Sequence, residues 1–238
     1  SAFSATSASV YTALITPTAD GAVTVDVAGS VAQDGVGNSN TAATQLAVTY
    51  DGTAPTVAIS GASGNINAAF TATFTFSENV TGFTVGDIVA GNASVSAFSA
   101  TSASVYTALI TPTTDGSVTV DVAGSVAQDG VGNNNTAATQ LAVTYDATAP
   151  TVAISGASGS INAAFTATFT FSEAMSGITN NNYISVSNAS VSAFNAISSS
   201  VYTALITPTA DGVVTVDVTA GVVQDTAGNN NMASAQLT

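Results

Sequence analysis

The sequence predicts an all-β chain made of tandem β-sandwich modules, and three observations carry that prediction. The first is repetition. SAFSATSASVYTALITPTADG from Ser1 returns as SAFSATSASVYTALITPTTDG from Ser96 and as SAFNAISSSVYTALITPTADG from Ser192. The copies start 95 and 96 residues apart, and a module copied head to tail suits work that benefits from length or number rather than a single reaction centre. The second is apolar residues alternating with Thr or Ser at a period of two, which sends them to opposite faces of a strand. The third is punctuation by Gly, Asn, Asp and Pro among abundant Val, Ile and Thr, with no 3.6-residue apolar stripe.

About seven short antiparallel strands in roughly 95 residues is the pattern of an immunoglobulin-like sandwich. The disulfide and buried Trp of antibody domains are missing, so the expectation concerns architecture, an elongated array of such modules. Each copy opens at Thr53-Ala-Pro-Thr-Val57 or Thr148-Ala-Pro-Thr-Val152. Pro55 and Pro150 would stiffen the junction and start the first strand where no ladder N–H is needed. Next, Phe70, Ala72, Phe74 and Phe76 face inward, with Thr71, Thr73 and Thr75 toward water. Tyr106–Val122 is predicted as a hairpin in which Val118, Val120 and Val122 point in while Thr119 and Asp121 point out. Thr111-Pro-Thr-Thr-Asp-Gly116 separates its strands, and Asp-Gly between alternating runs is a hairpin signal. Leu141, Val143 and Tyr145 supply the last strand.

These boundaries divide the chain into a C-terminal half-module (1–50), a complete module (51–145) and a nearly complete module (146–238). The half-module has no counterpart of Phe70–Phe76, so alone it would expose an apolar sheet face and open edges. Completion is expected from upstream sequence, or else from strands donated by another subunit. The chain opens within a repeat and stops at Ala235-Gln-Leu-Thr238, where earlier copies continue as AVTYD. It is therefore expected to be a piece of a longer polypeptide, and its lack of a signal peptide carries little meaning.

Composition removes several function classes. There is no Lys, Arg, His, Cys or Trp against fourteen carboxylates, a formal charge of −14. Nucleic acid and anionic membrane surfaces are excluded as partners, because affinity for both comes from cationic side chains. Direct membrane insertion is not expected either: much of the 46% hydrophobic fraction is Ala and Val interleaved with Thr and Ser, without the 18 or so consecutive apolar residues of a spanning helix. Lacking His, Lys and Cys, the chain has no ordinary base for its serines and no thiolate or amine nucleophile. The only glutamates, Glu78 and Glu173, occupy equivalent places in successive modules, too far apart to act as a glycosidase pair. No catalytic function is expected.

The chain resembles the tandem bacterial Ig-like repeats of large surface adhesins and related extracellular fibrous proteins. The resemblance rests on TAPTVAISGASGNINAAFTATFTFSENVTGFTVGDI (53–88), on YTALITPT with a following DG, and on VTVDVAGSVAQDGVGNNN (118–135). It implies extender modules at the bacterial cell surface that hold a ligand-binding tip, outside this fragment, away from the cell. It also implies calcium at the joints between neighbouring repeats. The last module departs from the pattern where Gly86-Asp87-Ile88 becomes Asn182-Tyr183-Ile184, which puts any role for Asp87 in doubt.

Sandwich topology argues for the same ion independently. If the first strand runs away from the upstream joint and the second returns, the Ser77-Glu78-Asn79 turn lies beside the linker residue Asp51. The turn before the last strand comes to the same end. Asp51, Glu78, Asp129, Asn133 and Asn135 are then expected to converge, as are Asp146, Glu173, Asp225, Asn229 and Asn231, with Asp34, Asn38 and Asn40 retained in the half-module. Carboxylate and amide oxygens are hard ligands that favour Ca2+ over zinc or copper. No side-chain cation could otherwise neutralise the clustered carboxylates. The competing reading is a tight turn whose Asp and Asn bond their own backbone and whose glycines take positive φ.

Asp20, Asp115 and Asp211 fit turn chemistry, and Asp26, Asp121 and Asp217 fit solvated strand faces. The sequons at Asn79, Asn92, Asn134 and Asn188 are expected by chance in an Asn- and Ser-rich chain. A monomeric extender rod is the favoured function. The alternative is a self-assembling filament or sheath in which other copies pack laterally or exchange strands, eased by a neutral Thr/Ser/Ala surface without edge lysines and opposed by the net charge. Ligand recognition by the modules themselves ranks third, since Phe and Tyr mostly fall on the inward alternation.

Overall fold

The computed structural model describes residues 2–238; Ser1, where the first repeat opens, lies outside the described residues. In the half-module β1 (Phe3–Ala5) pairs with β2 (Tyr11–Ala13), and β3 (Gly21–Val25) with β4 (Leu46–Tyr50). The middle module contains β5 (Val57–Ser60), β6 (Asn65–Ile66), β7 (Phe70–Phe76), β8 (Ile88–Gly91), β9 (Ala93–Ala100), β10 (Val105–Pro112), β11 (Gly116–Val122) and β12 (Leu141–Tyr145). One sheet has the order β5-β7-β10-β9 and the other β6-β12-β11-β8. All neighbours are antiparallel except β6 and β12. This is the immunoglobulin-like arrangement, two open sheets with strands exchanged between them.

The predicted inward faces meet at the centre. Ala72, Phe74 and Phe76 of β7 are buried against Tyr106, Ala108 and Ile110 of β10 and Val118, Val120 and Val122 of β11, while Phe70 is half-buried at the rim. The pairing within Tyr106–Val122 differs from the sequence expectation. β10 and β11 are consecutive but belong to different sheets, so this segment is a crossing between sheets and not a hairpin. Both strands carry strongly apolar faces, and placing them opposite each other buries both faces where side-by-side pairing would not. Both ladder edges of β10 are taken by β7 and β9, and both edges of β11 by β12 and β8.

The last module repeats the plan with β13 (Val152–Ser155), β14 (Phe165–Phe171), β15 (Met175–Ser176), β16 (Ile184–Ser187), β17 (Ala189–Ala196), β18 (Val201–Pro208), β19 (Thr215–Val218) and β20 (Gln224–Asp225). The sheet β13-β14-β18-β17 matches its counterpart; opposite it stand the pairs β16-β19 and β15-β20, and Leu237 bridges to Val216.

The repeat supplies its own control for burial. Tyr11 is 56% exposed, whereas its copy Tyr106 is 7% exposed; Val48 and its copy Val143 stand at 55% and 5%. The same residues in the same local pattern are covered only where strands equivalent to β5 and β7 are present. No helix among the described residues is long and apolar enough to cross a membrane.

Candidate functional site

The upstream end of each complete module is assembled from three stretches far apart in sequence. The linker carries Asp51. It is tied to the turn after β7, where Ser77 N–H donates to the Thr56 carbonyl and Thr56 N–H donates to Ser77 Oγ. It is tied to the turn after β11 by Thr136 N–H, which donates to the Pro55 carbonyl. Carboxylate oxygens of Asp51, Glu78 and Asp129 consequently lie within 4.8 Å of one another, and those of Asp146, Glu173 and Asp225 do the same.

Asp129 is 5% exposed and Asp225 1%. Both serve their turn first. Asp129 Oδ1 accepts from the N–H groups of Val131, Gly132 and Asn133 at 2.7–2.9 Å, and Asp225 Oδ1 repeats this with Ala227, Gly228 and Asn229. Gly132 takes the left-handed φ of +97° that closes the loop. Burial pushes the Asp129 carboxyl upward, but the bonds from Asn133, Val131 and Gly132 outweigh it and lower the pKa. Asp129 and Asp225 thus hold their own turns and also belong to the carboxylate clusters.

The glutamates behave oppositely. Burial raises the pKa of Glu78, and repulsion from Asp51, Asp129 and Asp20 adds to it. Glu173 is raised by burial and then by Asp146, Asp225 and Asp115. Three carboxylates lie together at each joint, and a fourth, Asp20 or Asp115, adds to the repulsion on the glutamate with no cationic side chain to offset it. The trio therefore has the chemical capacity to hold a hard cation.

The asparagines divide. Asn133 reaches the cluster, but as a donor: its Nδ2 bonds Asp129 Oδ2 at 2.7 Å and the Asp51 carbonyl at 3.1 Å, so it positions oxygens. Asn229 does this for Asp225 and Asp146. Asn38 likewise donates to Asp34 in the half-module, where Asn38 N–H and the Asn38 side chain lead the bonds that lower the Asp34 pKa.

The expected convergence of Asn135 and Asn231 is corrected. Asn135 Oδ1 accepts from Val126 and Ala127 N–H, and its Nδ2 donates to the Ala123 and Thr136 carbonyls. Asn231 and Asn40 are committed in the same way. Four backbone groups of the loop claim the side chain, leaving no lone pair aimed at the carboxylates. Asp87 is also spoken for, capping the 3-10 turn Val85–Asp87 through Thr84 N–H and Oγ1.

Sequence reasoning missed Asp20 and Asp115. Asp115 accepts from Ala147 N–H at 2.8 Å and from Thr148 Oγ1 at 2.5 Å, and Asp20 from Gly52 N–H at 2.7 Å and from Thr53 Oγ1. Asp20 lies between β2 and β3, and Asp115 between the equivalent strands β10 and β11, and each grips the linker to the next module. These bonds lower both pKa values, the Thr hydroxyl contributing most. Assigning the Asp-Gly pair to a hairpin had confined these residues to their own turn; the available signal was the equal 33-residue spacing from Asp20 to Thr53 and from Asp115 to Thr148.

A family profile described as "Bacterial Ig-like domain" matches residues 51–145 and 146–238. No curated protein sequence matches the chain. Among solved structures, the Escherichia coli adhesin FdeC is similar at 15% identity over 84% of this chain and 71% of that one, with a TM-score of 0.44. InvD from Yersinia pseudotuberculosis is similar at 19% identity, covering 77% and 56%, with a TM-score of 0.33. Invasin, described as a bacterial integrin-binding protein, is similar at 17% identity, covering 83% and 49%, with a TM-score of 0.39. The present chain thus spans about half the length of those last two.

Proposed function

The chain belongs to the bacterial Ig-like domain family, and from that premise we propose that it is a non-catalytic extender region of an extracellular adhesin or fibrous surface protein of a bacterium, with joints stiffened by Ca2+. The observation that carries this reading is that each carboxylate cluster bridges a joint. Asp51 or Asp146 comes from the linker and the other two groups of each trio from the module that follows, while Asp20 or Asp115 of the preceding module grips that same linker through hydrogen bonds. A cation there would pin the linker, already gripped by the preceding module, to the module that follows, which is what a spacer requires and an isolated pocket would not provide. The Asp129 and Asp225 turns are preformed by their own backbone bonds, so the ion would mainly order the linker and the glutamate. Extracellular calcium modules bind at about 10⁻⁴–10⁻³ M, so the joints would be stiff outside the cell and loose within it.

Thermal melts in calcium and in chelator test this. At a hundredfold excess over Kd, binding to the folded state alone adds about 2.7 kcal/mol per site. Small-angle scattering should show a longer, less bendable particle with calcium. Identical melts and identical scattering in the two buffers would remove the calcium-stiffened extender. Concentration-dependent filaments by light scattering would instead favour the assembling alternative.

A further inference from the structure

The one change in length between the last module and the middle one falls in the segment joining its second and third core strands. In the middle module Phe83 enters the core there, packing on Phe74, Phe76, Phe98 and Tyr106. In the last module Ile178 stands at that position and the segment is one residue longer. The aromatic ring arrives later, from Tyr183, with centroids 6.5 Å from Phe169 and 5.9 Å from Phe194. The core is filled by another route, and the loop Ser176–Asn182 is left to line a depression of about 530 Å³ against residues 221–230. That volume lies within the ~300–1,000 Å³ of small-molecule sites. In immunoglobulin-like topology these are two of the loops that variable domains use for recognition.

The lining has a definite chemistry. Asn180, Asn182, Gln224 and Asn230 are exposed at it, with no carboxylate among the lining residues. Ile178 and Val223 are half-buried and Tyr183 is buried, so the apolar surface lies deeper than the amides. Asn180 Oδ1 accepts from Asn182 N–H at 3.0 Å, and Gln224 Nε2 donates to Asn230 Oδ1 at 3.1 Å. Those bonds leave the whole Asn182 amide, Asn180 Nδ2, Gln224 Oε1 and Asn230 Nδ2 without protein partners, a mixture of donors and acceptors. The Tyr183 hydroxyl is also a buried side-chain polar atom with no hydrogen-bond partner, on a residue 7% exposed, and native proteins rarely leave such a group unmatched.

An uncharged ligand with several hydroxyls and one apolar face matches this set. A metal ion finds no carboxylate in it, an anion meets the net charge of −14, and a purely apolar molecule would strand the amides. We propose that the depression between the Ser176–Asn182 loop and residues 221–230 is a binding site for a neutral saccharide, one that the middle module does not share. The proposal does not depend on the extender reading, since calcium-insensitive melts leave it standing.

Saturation-transfer NMR on the full chain tests it, with lactose, cellobiose, maltose and chitobiose as neutral probes and sialyllactose as the anionic comparison. Transfer to at least one neutral disaccharide is expected, weakened tenfold or more in Asn182→Ala with Gln224→Ala and retained in Gln128→Ala, the equivalent change in the middle module. Unchanged melting of the exposed Asn182→Ala variant shows that the fold survives. Absence of transfer from all four neutral probes at millimolar concentration overturns the proposal. So does transfer indifferent to the double substitution, or a preference for sialyllactose.

Discussion

Glu78 is the residue on which the joint turns. Its carboxylate is desolvated and repelled by Asp51, Asp129 and Asp20, so its charge destabilises the folded joint unless a cation is present. Glu78→Gln is therefore expected to raise the melting temperature of the middle module in chelator and to abolish most of its rise with calcium. Equal calcium responses in wild type and variant, measured by calorimetry, would show that Glu78 takes no part. The carboxylates themselves were legible in the sequence, because hard oxygen groups recurring at repeat spacing can be picked out by residue type. Their division of labour was not, since which oxygen of Asp129 faces three N–H groups depends on loop φ and ψ. Asn135 illustrates the same limit: an amide can ligate or cap, and only the positions of the surrounding carbonyls decide.

At the scale of elements, the loop 123–136 is held by Asn135 much as a pin holds a hinge leaf. Its side chain satisfies two backbone donors and two acceptors in a region that is 3% exposed at Asn135 itself. Orphaning a buried backbone group costs about 1–3 kcal/mol. Asn135→Ala is expected to lose about 2–4 kcal/mol in total, read in chemical denaturation with calcium absent. A loss below 1 kcal/mol would show the loop to be held by other contacts. The strands were legible because alternation is local: β7, β10, β11 and β12 lie where the pattern puts them. The connection between β10 and β11 was not, because Asp-Gly reports that the chain turns, and not which sheet it turns into. Asp115 gained its grip on Ala147 and Thr148 through that same crossing.

For the whole molecule, pH and calcium should act through two carboxylate populations with opposite signs. Asp20, Asp34, Asp115 and Asp129 have folded pKa values below the ordinary 3.8, so the stability they contribute is present above 3.8 and is lost as pH falls through the lowered values. Glu78 and Glu173 have folded values above the ordinary 4.5, so the protonated form is favoured in the fold and stability is lost as pH rises through and beyond 4.5. Melting temperature in chelator is thus expected to peak near pH 4–5 and to fall toward neutrality, with calcium lifting the neutral side. A chelator profile that rises steadily to pH 7 would contradict this assignment. The sequence by itself determined the module length, the inward face of each strand and the surplus of acid without base, because all three are local or additive properties of the chain. Only the tertiary structure decided which sheet each strand joins, that Asp20 and Asp115 reach the linker to the next module, and that the last module opens a depression lined by Tyr183. Those outcomes depend on contacts between residues tens of positions apart, chosen by how two apolar faces best cover each other.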